Sequence, residues 1–221
     1  MTGFPFDRFA DIQDDQIRIL ADCLVKLFHI YFIQRAYREF ILFPATETVF
    51  YDTGHSYGGM VITGVADRLP DQIRRLVYWN AFVPNNGEAL DDMIPPEYIE
   101  LFDRLVADDG SMMLPFEVWR EAFINDASLE LAQETYGLLN PHPRRTFAEP
   151  IKLDHNPAEI PVPKSYVNCT EDTSLPHHVP WHPRLSKKLG LFRLVQTPGS
   201  HELCFTDPGL LALKLMEAGR D

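Results

Sequence analysis

The sequence has few cysteines and few basic residues, and each shortage argues against a class of protein. Its three cysteines, Cys23, Cys169 and Cys204, are too scattered for a disulfide framework and favour reduced thiols in a cytoplasmic protein. The 20 lysines and arginines are outnumbered by 32 acidic residues, for a formal net charge of −12. This charge argues against nucleic acid as a partner and gives no sign of a basic membrane-binding face.

Long apolar runs are also missing. The most apolar stretch, 23–33, is interrupted by Lys26 and His29, and it falls short of the roughly 18 continuous apolar residues that a membrane span needs. The first seven residues lack a basic region before an apolar stretch, so no secretory signal is predicted. With 45% hydrophobic residues, the composition instead predicts a compact domain without membrane association.

Cofactor and metal signatures are equally scarce. No glycine-rich phosphate loop occurs, and the three neighbouring histidines His177, His178 and His182 lack the acidic residue of the helical zinc motif. Pro180 also interrupts any regular helix through them. We therefore predict neither a cofactor nor a metal ion.

What the sequence does contain is a serine between glycines, in the segment Gly54–Gly58 with Gly59 behind it. An apolar stretch before it and a helical pattern after it place Ser56 where a strand turns into a helix. This is the nucleophile-elbow pattern, in which a side chain two residues before or after the serine would crowd the turn. It predicts Ser56 as a nucleophile and the N–H of Tyr57 as a donor to an oxyanion.

Two partners for this serine follow later in the chain. Asp172 ends a β-prone stretch, where a carboxylate is well placed to orient a histidine, although the neighbouring Glu171 could serve instead. His201 follows a second such stretch, 191–198, and precedes a helical segment, 207–217. We predict Asp172 and His201 as the other members of a catalytic triad; the alternative for His201 is a loop residue that caps the last helix.

The segments 54–66 and 73–84, with Gly87 and Glu88, resemble the α/β-hydrolase group that contains plant methylesterases, hydroxynitrile lyases and many bacterial esterases. Similarity continues in three later segments: 139–150, 166–176 and 199–215. The resemblance implies an α/β-hydrolase fold, a mostly parallel sheet flanked by helices with an inserted helical cap. The chain order serine, aspartate, histidine is also that of this fold.

The N-terminal part departs from the pattern of that group. The resemblance implies a strand ending in His-Gly, whose loop donates a second N–H to the oxyanion, yet no His-Gly occurs before Gly54. Instead, apolar spacing predicts a long helix over 14–40, followed by short strands at 40–43 and 49–51. We expect an abbreviated or divergent N-terminal part, and an exposed apolar helix there would favour a homodimer.

The motifs divide the chain into a hydrolase core, 1–84 and 162–221, and a helical cap, 85–161. Within the cap, helical patterns at 96–106, 115–124 and 128–138 are separated by prolines. Cap residues shape the pocket in such a fold, so the candidate substrate-pocket residues are His55, Met93, Trp119 and Phe123. The alternative is that the three cap residues form the cap's own core and that His55 is a packing residue.

Taken together, these features predict a serine hydrolase that acts on a carboxylic ester or lactone of a small, mostly hydrophobic molecule through an acyl-enzyme. One alternative is a catalytically weak or silent hydrolase-like protein that binds a small ligand. Hydroxynitrile lyase chemistry is a further alternative. The resemblance implies a lysine directly after the catalytic histidine in those enzymes, and Glu202 stands there instead.

Overall fold

Six strands, arranged in two sheets, occur in residues 50–220, the part of the chain that the computed structural model describes. In chain order they are β1 (Phe50–Ser56), β2 (Ile73–Ala81), β3 (Ser111–Met112), β4 (His142–Pro143), β5 (Lys164–Cys169) and β6 (Arg193–Thr197). The main sheet has the order β1-β2-β5-β6, and all its neighbouring strands are parallel. The predicted helix over 14–40 and the strand at 40–43 lie outside the described residues.

Seven α-helices connect or follow these strands in the described chain. They are α1 (Gly58–Arg68), α2 (Pro96–Arg104), α3 (Phe116–Val118), α4 (Leu129–Tyr136), α5 (Arg145–Ala148), α6 (Leu203–Thr206) and α7 (Pro208–Gly219). Helix α1 packs against β1 and β2, whereas α7 packs against β5 and β6. The described chain is thus an α/β structure, a parallel sheet flanked by helices, as predicted.

Strand β2 lies inside the main sheet, between β1 and β5, and is buried along almost its whole length. Every residue from Ile73 to Ala81 is buried except Arg74. A parallel strand is covered on both faces of the sheet, so neither face meets water and apolar residues predominate along it. The run 73–83 was predicted as buried on this basis, and the structure confirms it.

The last helix begins within the segment that the sequence predicts as helical, 207–217. Asp207 precedes α7, and its side chain accepts a hydrogen bond from the N–H of Leu210 at 2.9 Å. Pro208 occupies the first helical position, where a missing N–H has no consequence. The predicted segment 207–217 therefore corresponds to a capped helix, one turn of which presents Leu211 and Leu215 to the core.

The chain between β2 and β5 contains the segments predicted as cap helices. Two of the three patterns become α2 and α4. The third, 115–124, is split: after α3 it widens into a π-helix, Trp119–Phe123, in which the N–H of Ile124 donates to the carbonyl of Trp119. The division of the chain into a core and a cap stays a prediction.

The short strands β3 and β4 pair antiparallel within this same insert. The neighbouring Arg144 forms ion pairs with Asp91 and Asp103, at 2.8 Å in each case. One buried guanidinium therefore joins three separate parts of the insert. No helix among residues 50–220 is long and apolar enough to span a membrane.

Candidate active site

Ser56 occupies a strained turn between β1 and α1. Its φ is +52°, in the left-handed region that non-glycine residues rarely enter. Its carbonyl accepts a hydrogen bond from the N–H of Phe82 at 3.1 Å, and Tyr57, directly after it, already has helical dihedral angles as the residue that caps α1. The structure thus places Ser56 on the strand-to-helix elbow that the sequence predicts.

Two glycines allow this elbow to form. A Cβ at Gly54 would lie 2.7 Å from the carbonyl oxygen of Gly58, and a Cβ at Gly59 would lie 2.0 Å from the carbonyl oxygen of Phe82. A Cβ at Gly58 would meet no atom within 4 Å. The prediction that a side chain two residues after the serine crowds the turn is therefore wrong. The crowded position is Gly59, because there the first turn of α1 touches the chain just after β2.

Tyr57 stands at the N-terminus of α1, where the first N–H groups have no acceptor within the helix. Its own N–H is therefore free to donate to a negative oxygen beside Ser56, and the positive end of the helix dipole would add to this stabilisation. The Tyr57 ring packs against His142 and Phe147, at centroid distances of 5.2 and 5.6 Å.

His201 and Asp172 form a buried pair. Nδ1 of His201 lies 2.6 Å from Oδ2 of Asp172, and the Nε2 atom of the same ring is buried without any hydrogen-bond partner. It follows that no hydrogen bond joins Ser56 to His201 in the described chain. The pairing leaves Nε2 as the ring nitrogen available to accept a proton.

The carboxylate of Asp172 is held on both oxygens. Oδ1 accepts from the backbone N–H of Ser174 at 2.8 Å and from its hydroxyl at 2.5 Å. Oδ2 accepts from the amide of Asn80 as well as from His201. Sequence reasoning missed both Asn80 and Ser174, although a lone asparagine inside the apolar run of β2 was a visible signal.

The pKa values of the pair move in the directions that favour an ion pair. Burial alone lowers the pKa of His201, but the attraction of Asp172 and the hydrogen bond to it outweigh this, and the pKa is raised above its ordinary value. Burial raises the pKa of Asp172, yet His201, Ser174 and Asn80 together bring it below the ordinary value. Asp172 is therefore ionised at neutral pH.

Glu171, the alternative acid, does not contact His201. Its side chain is exposed, and its Oε2 accepts from the N–H of Gly199 at 3.2 Å. Its own N–H donates to the carbonyl of Gly199, also at 3.2 Å. Glu171 therefore stabilises the turn that precedes His201. The structure brings Asp172, and not Glu171, to the imidazole.

Three aromatic rings surround the His201 imidazole. His55, Phe123 and Trp181 have centroids 4.4, 5.3 and 5.1 Å from it. Nε2 of His55 also lies 3.0 Å from the carbonyl oxygen of His201, and the His55 ring stacks on Trp79 at 3.9 Å. Two of the four predicted pocket residues, His55 and Phe123, thus border His201.

The other two, Met93 and Trp119, are buried in separate hydrophobic clusters, so the structure does not bring them together. A cavity of about 100 Å³ borders Asp172, and none of the four predicted pocket residues lines it. Its lining residues are Asn168, Cys169, Thr170, Asp172, Leu175, His177, Pro180, Trp181 and His182. The role of the four residues as a substrate pocket stays a prediction.

Within residues 50–220, potential metal-ligating side chains cluster around His201. One ligand atom each from His55, His201 and Glu202 lie within 4.8 Å of one another. Nδ1 of His201 and Nε2 of His55 already take part in the hydrogen bonds described above. Glu202, which stands where a hydroxynitrile lyase would carry lysine, is buried, and burial raises the pKa of its carboxyl.

Comparison with solved structures decides the family. An extracellular α/β-hydrolase from a Paenibacillus species, described as sharing structural and functional homology with tobacco salicylic acid binding protein 2, is 36% identical to this chain. The two superpose with a TM-score of 0.75 over 79% of this chain and 73% of the other. The chain belongs to the α/β-hydrolase family. No protein-family model matches it.

Curated relatives of this α/β-hydrolase are hydrolases as well. A carbendazim hydrolyzing esterase from a Nocardioides species is 64% identical over 42 residues, which are 19% of this chain and 17% of the relative. A probable hydrolase from a Phoma species is 31% identical over 120 residues, 53% of this chain and 47% of the relative. The α/β-hydrolase chain thus spans less than half the length of each of these relatives.

Proposed function

We propose that the protein is a carboxylic ester hydrolase in which Ser56 is the nucleophile, His201 the general base and Asp172 the residue that orients the histidine. The observation that carries this proposal is the buried bond between Nδ1 of His201 and Asp172. It fixes the imidazole tautomer and leaves Nε2 as the free base. The left-handed backbone of Ser56 at the elbow and the membership in the α/β-hydrolase family support it independently.

In the first half-reaction, Oγ of Ser56 attacks the ester carbonyl while Nε2 of His201 takes its proton. The N–H of Tyr57 stabilises the resulting oxyanion, and Asp172 stabilises the imidazolium. When the carbonyl re-forms, the alcohol leaves with the proton from His201, and an acyl-Ser56 ester remains. In the second half-reaction, His201 takes a proton from water as the water attacks the acyl group. The bond between the acyl carbon and Oγ of Ser56 then breaks, Oγ regains its proton from His201, and the carboxylic acid is released.

The substrate that we propose is a small, mostly hydrophobic ester or lactone. His55, Phe123 and Trp181 give the surroundings of His201 an aromatic character, which favours an apolar acyl or alcohol group over a charged one. The 64% identity with a carbendazim hydrolyzing esterase covers only 42 residues, so carbendazim is one candidate substrate to test beside simple esters. Glu202 disfavours hydroxynitrile lyase chemistry.

Hydrolysis of p-nitrophenyl acetate, p-nitrophenyl butyrate, γ-lactones and carbendazim by the wild type, Ser56→Ala and His201→Ala proteins tests this function. Because weak turnover of activated esters can be incidental, the comparison with the two variants decides. We expect turnover in the wild type and a loss of about 10³-fold or more in both variants. Equal turnover in all three folded proteins would contradict the proposal.

The second candidate function is that of a ligand-binding protein without turnover. It is favoured by one observation, the lack of a hydrogen bond from Ser56 to Nε2 of His201 in the described chain. Catalytic hydrogen bonds are often long before substrate binds, so this geometry does not by itself argue against catalysis. Saturable ester binding by calorimetry, with no acid released by the wild type, would support this second function.

A further inference from the structure

The geometry points to Asn80 as a positioning residue of the triad: we infer that it locks the Asp172 carboxylate in the orientation that His201 requires. This inference rests on the proposed function. Asn80 is fully buried, and its Nδ2 amide group donates to Oδ2 of Asp172, the same oxygen that accepts from His201. The asparagine thus acts on the reaction only through Asp172.

The orientation of the Asn80 amide is not interchangeable. Its Oδ1 accepts the backbone N–H of Cys169 at 2.7 Å. A flipped amide would direct its NH₂ group at that N–H and its oxygen at the Asp172 carboxylate. The flip would therefore break both hydrogen bonds of the Asn80 amide and place two oxygens against each other. The end of β5 therefore determines that an amide donor, and not an acceptor, faces Asp172.

The backbone at Asn80 explains how its side chain reaches this place. The φ of Asn80 is +35°, and the register of β1 on β2 shifts at the same point: His55 lies opposite Trp79, whereas Ser56 lies opposite Ala81. Asn80 is thus the extra residue of a bulge, which re-aims a side chain out of the alternating pattern of a strand. Asparagine tolerates this left-handed backbone better than most residues.

The same bulge serves both ends of the triad. It lies directly opposite the step from His55 to Ser56, where β1 turns into the elbow, and it aims Asn80 at Asp172, just beyond the end of β5. Ser174 holds the other carboxylate oxygen and is itself bonded by Nε1 of Trp181 at 3.1 Å. With both oxygens saturated, Asp172 can rotate only if at least one of these bonds breaks.

The experiment compares the pH dependence of Ser56 labelling by a fluorophosphonate in the wild type, Asn80→Asp and Asn140→Asp proteins. The substitution at Asn80 keeps shape and backbone tolerance but places a second carboxylate against Asp172. Two carboxyl groups this close share one proton at low pH. Once that proton leaves, the extra negative charge raises the pKa of His201, so the acid side of the labelling-rate profile should move up by about one pH unit or more. Asn140, which is exposed and donates to the carbonyl of Leu138, is the matched control, and its substitution should not shift the acid side of the profile.

A second variant, Asn80→Gly, keeps the left-handed backbone and removes both side-chain bonds. We expect its labelling rate at the optimal pH to fall at least about tenfold, because a hydrogen bond to a charged group is lost. A folded Asn80→Asp protein with the wild-type pH profile, or an Asn80→Gly protein with the wild-type rate, would overturn the inference.

A readout on the unsubstituted protein covers the case in which both variants fail to fold. In the wild type labelled with ¹⁵N-asparagine, one side-chain amide proton should be protected from exchange, and its chemical shift should follow the titration of His201. The inference would be overturned if no side-chain amide proton followed this titration. A wild type that takes no label at any pH would instead contradict the proposed function, and the amide readout would still report whether Asn80 binds Asp172.

Discussion

Nδ1 of His201 lies 2.6 Å from Oδ2 of Asp172, and both side chains are buried. Since the ionised carboxylate can only accept, the ring nitrogen at this contact carries the proton. The neutral imidazole therefore has its lone pair on Nε2, the nitrogen that a general base must present to a serine. Most of the chemistry that we propose depends on this one contact.

Replacing Asp172 with asparagine should abolish most activity without unfolding the protein. The amide would hold the imidazole in the wrong tautomer, and the comparable change in other triads lowers kcat by about 10⁴. Circular dichroism and ester hydrolysis of purified Asp172→Asn measure the two effects. A folded variant with activity within tenfold of the wild type would show that Asp172 is not the orienting acid.

Glu171→Gln provides the matched control for that variant. Glutamine retains an oxygen that can accept from the N–H of Gly199, and the side chain is exposed. We expect the activity of Glu171→Gln to remain within about threefold of the wild type. A loss as large as that in Asp172→Asn would revive Glu171 as the acid of the triad.

The pH dependence of labelling should show a half-maximal rate above pH 6.5, the ordinary pKa of histidine, because Asp172 raises the pKa of His201. Only the neutral imidazole accepts a proton, so the rate falls as pH decreases through this raised value. In Asp172→Asn the attraction is gone while the burial remains, and the midpoint of the residual rate should move to lower pH. A midpoint that stays in place would contradict the coupling of the two residues.

The elbow glycines should respond oppositely to alanine. In Gly59→Ala the new Cβ would meet the carbonyl oxygen of Phe82 at 2.0 Å, so we expect a loss of about 3 kcal/mol or more in the free energy of unfolding. In Gly58→Ala the Cβ meets nothing within 4 Å, and alanine favours the helix by about 0.5–1 kcal/mol. Urea denaturation of both variants measures these changes, and equal destabilisation would contradict the described packing.

Two adjacent arginines offer a similar comparison in the chain between β2 and β5. The side chain of Arg144 is only 10% exposed and pairs with Asp91 and Asp103, whereas that of Arg145 is 85% exposed. We expect Arg144→Met to lower the free energy of unfolding by about 3 kcal/mol, because it leaves carboxylates unpaired. Arg145→Met should change it by less than about 0.5 kcal/mol. Denaturation midpoints that shift equally would contradict this assignment.

The sequence allowed the elements that position Ser56 and His201 to be predicted because their signals are local. The glycines around Ser56, the buried run of β2 and the helical pattern of α7 each depend on residues close together in the chain. The pairing of His201 with Asp172 was predicted from chain order and family resemblance rather than from spacing. Its geometry, including the choice of Asp172 over Glu171, needed the structure.

The parts that escaped prediction depend on contacts between distant segments. Asn80 contacts Asp172 because a bulge turns its side chain toward the end of the neighbouring strand β5. A bulge leaves no clear sequence pattern. The strands β3 and β4 are two residues each and lie about thirty residues apart in the chain, too short for a periodic signal. The burial of Met93 and Trp119 in different clusters likewise follows from tertiary packing, which a list of apolar residues does not contain.

The most direct test of the central claim is intact-protein mass spectrometry after treatment with a fluorophosphonate, followed by peptide mapping. In this reaction Oγ of Ser56 attacks phosphorus, fluoride leaves, and His201 takes the serine proton. The account predicts one adduct per chain, located on Ser56 and lost in both Ser56→Ala and His201→Ala. No adduct on folded wild-type protein, or an adduct on another residue, would contradict it.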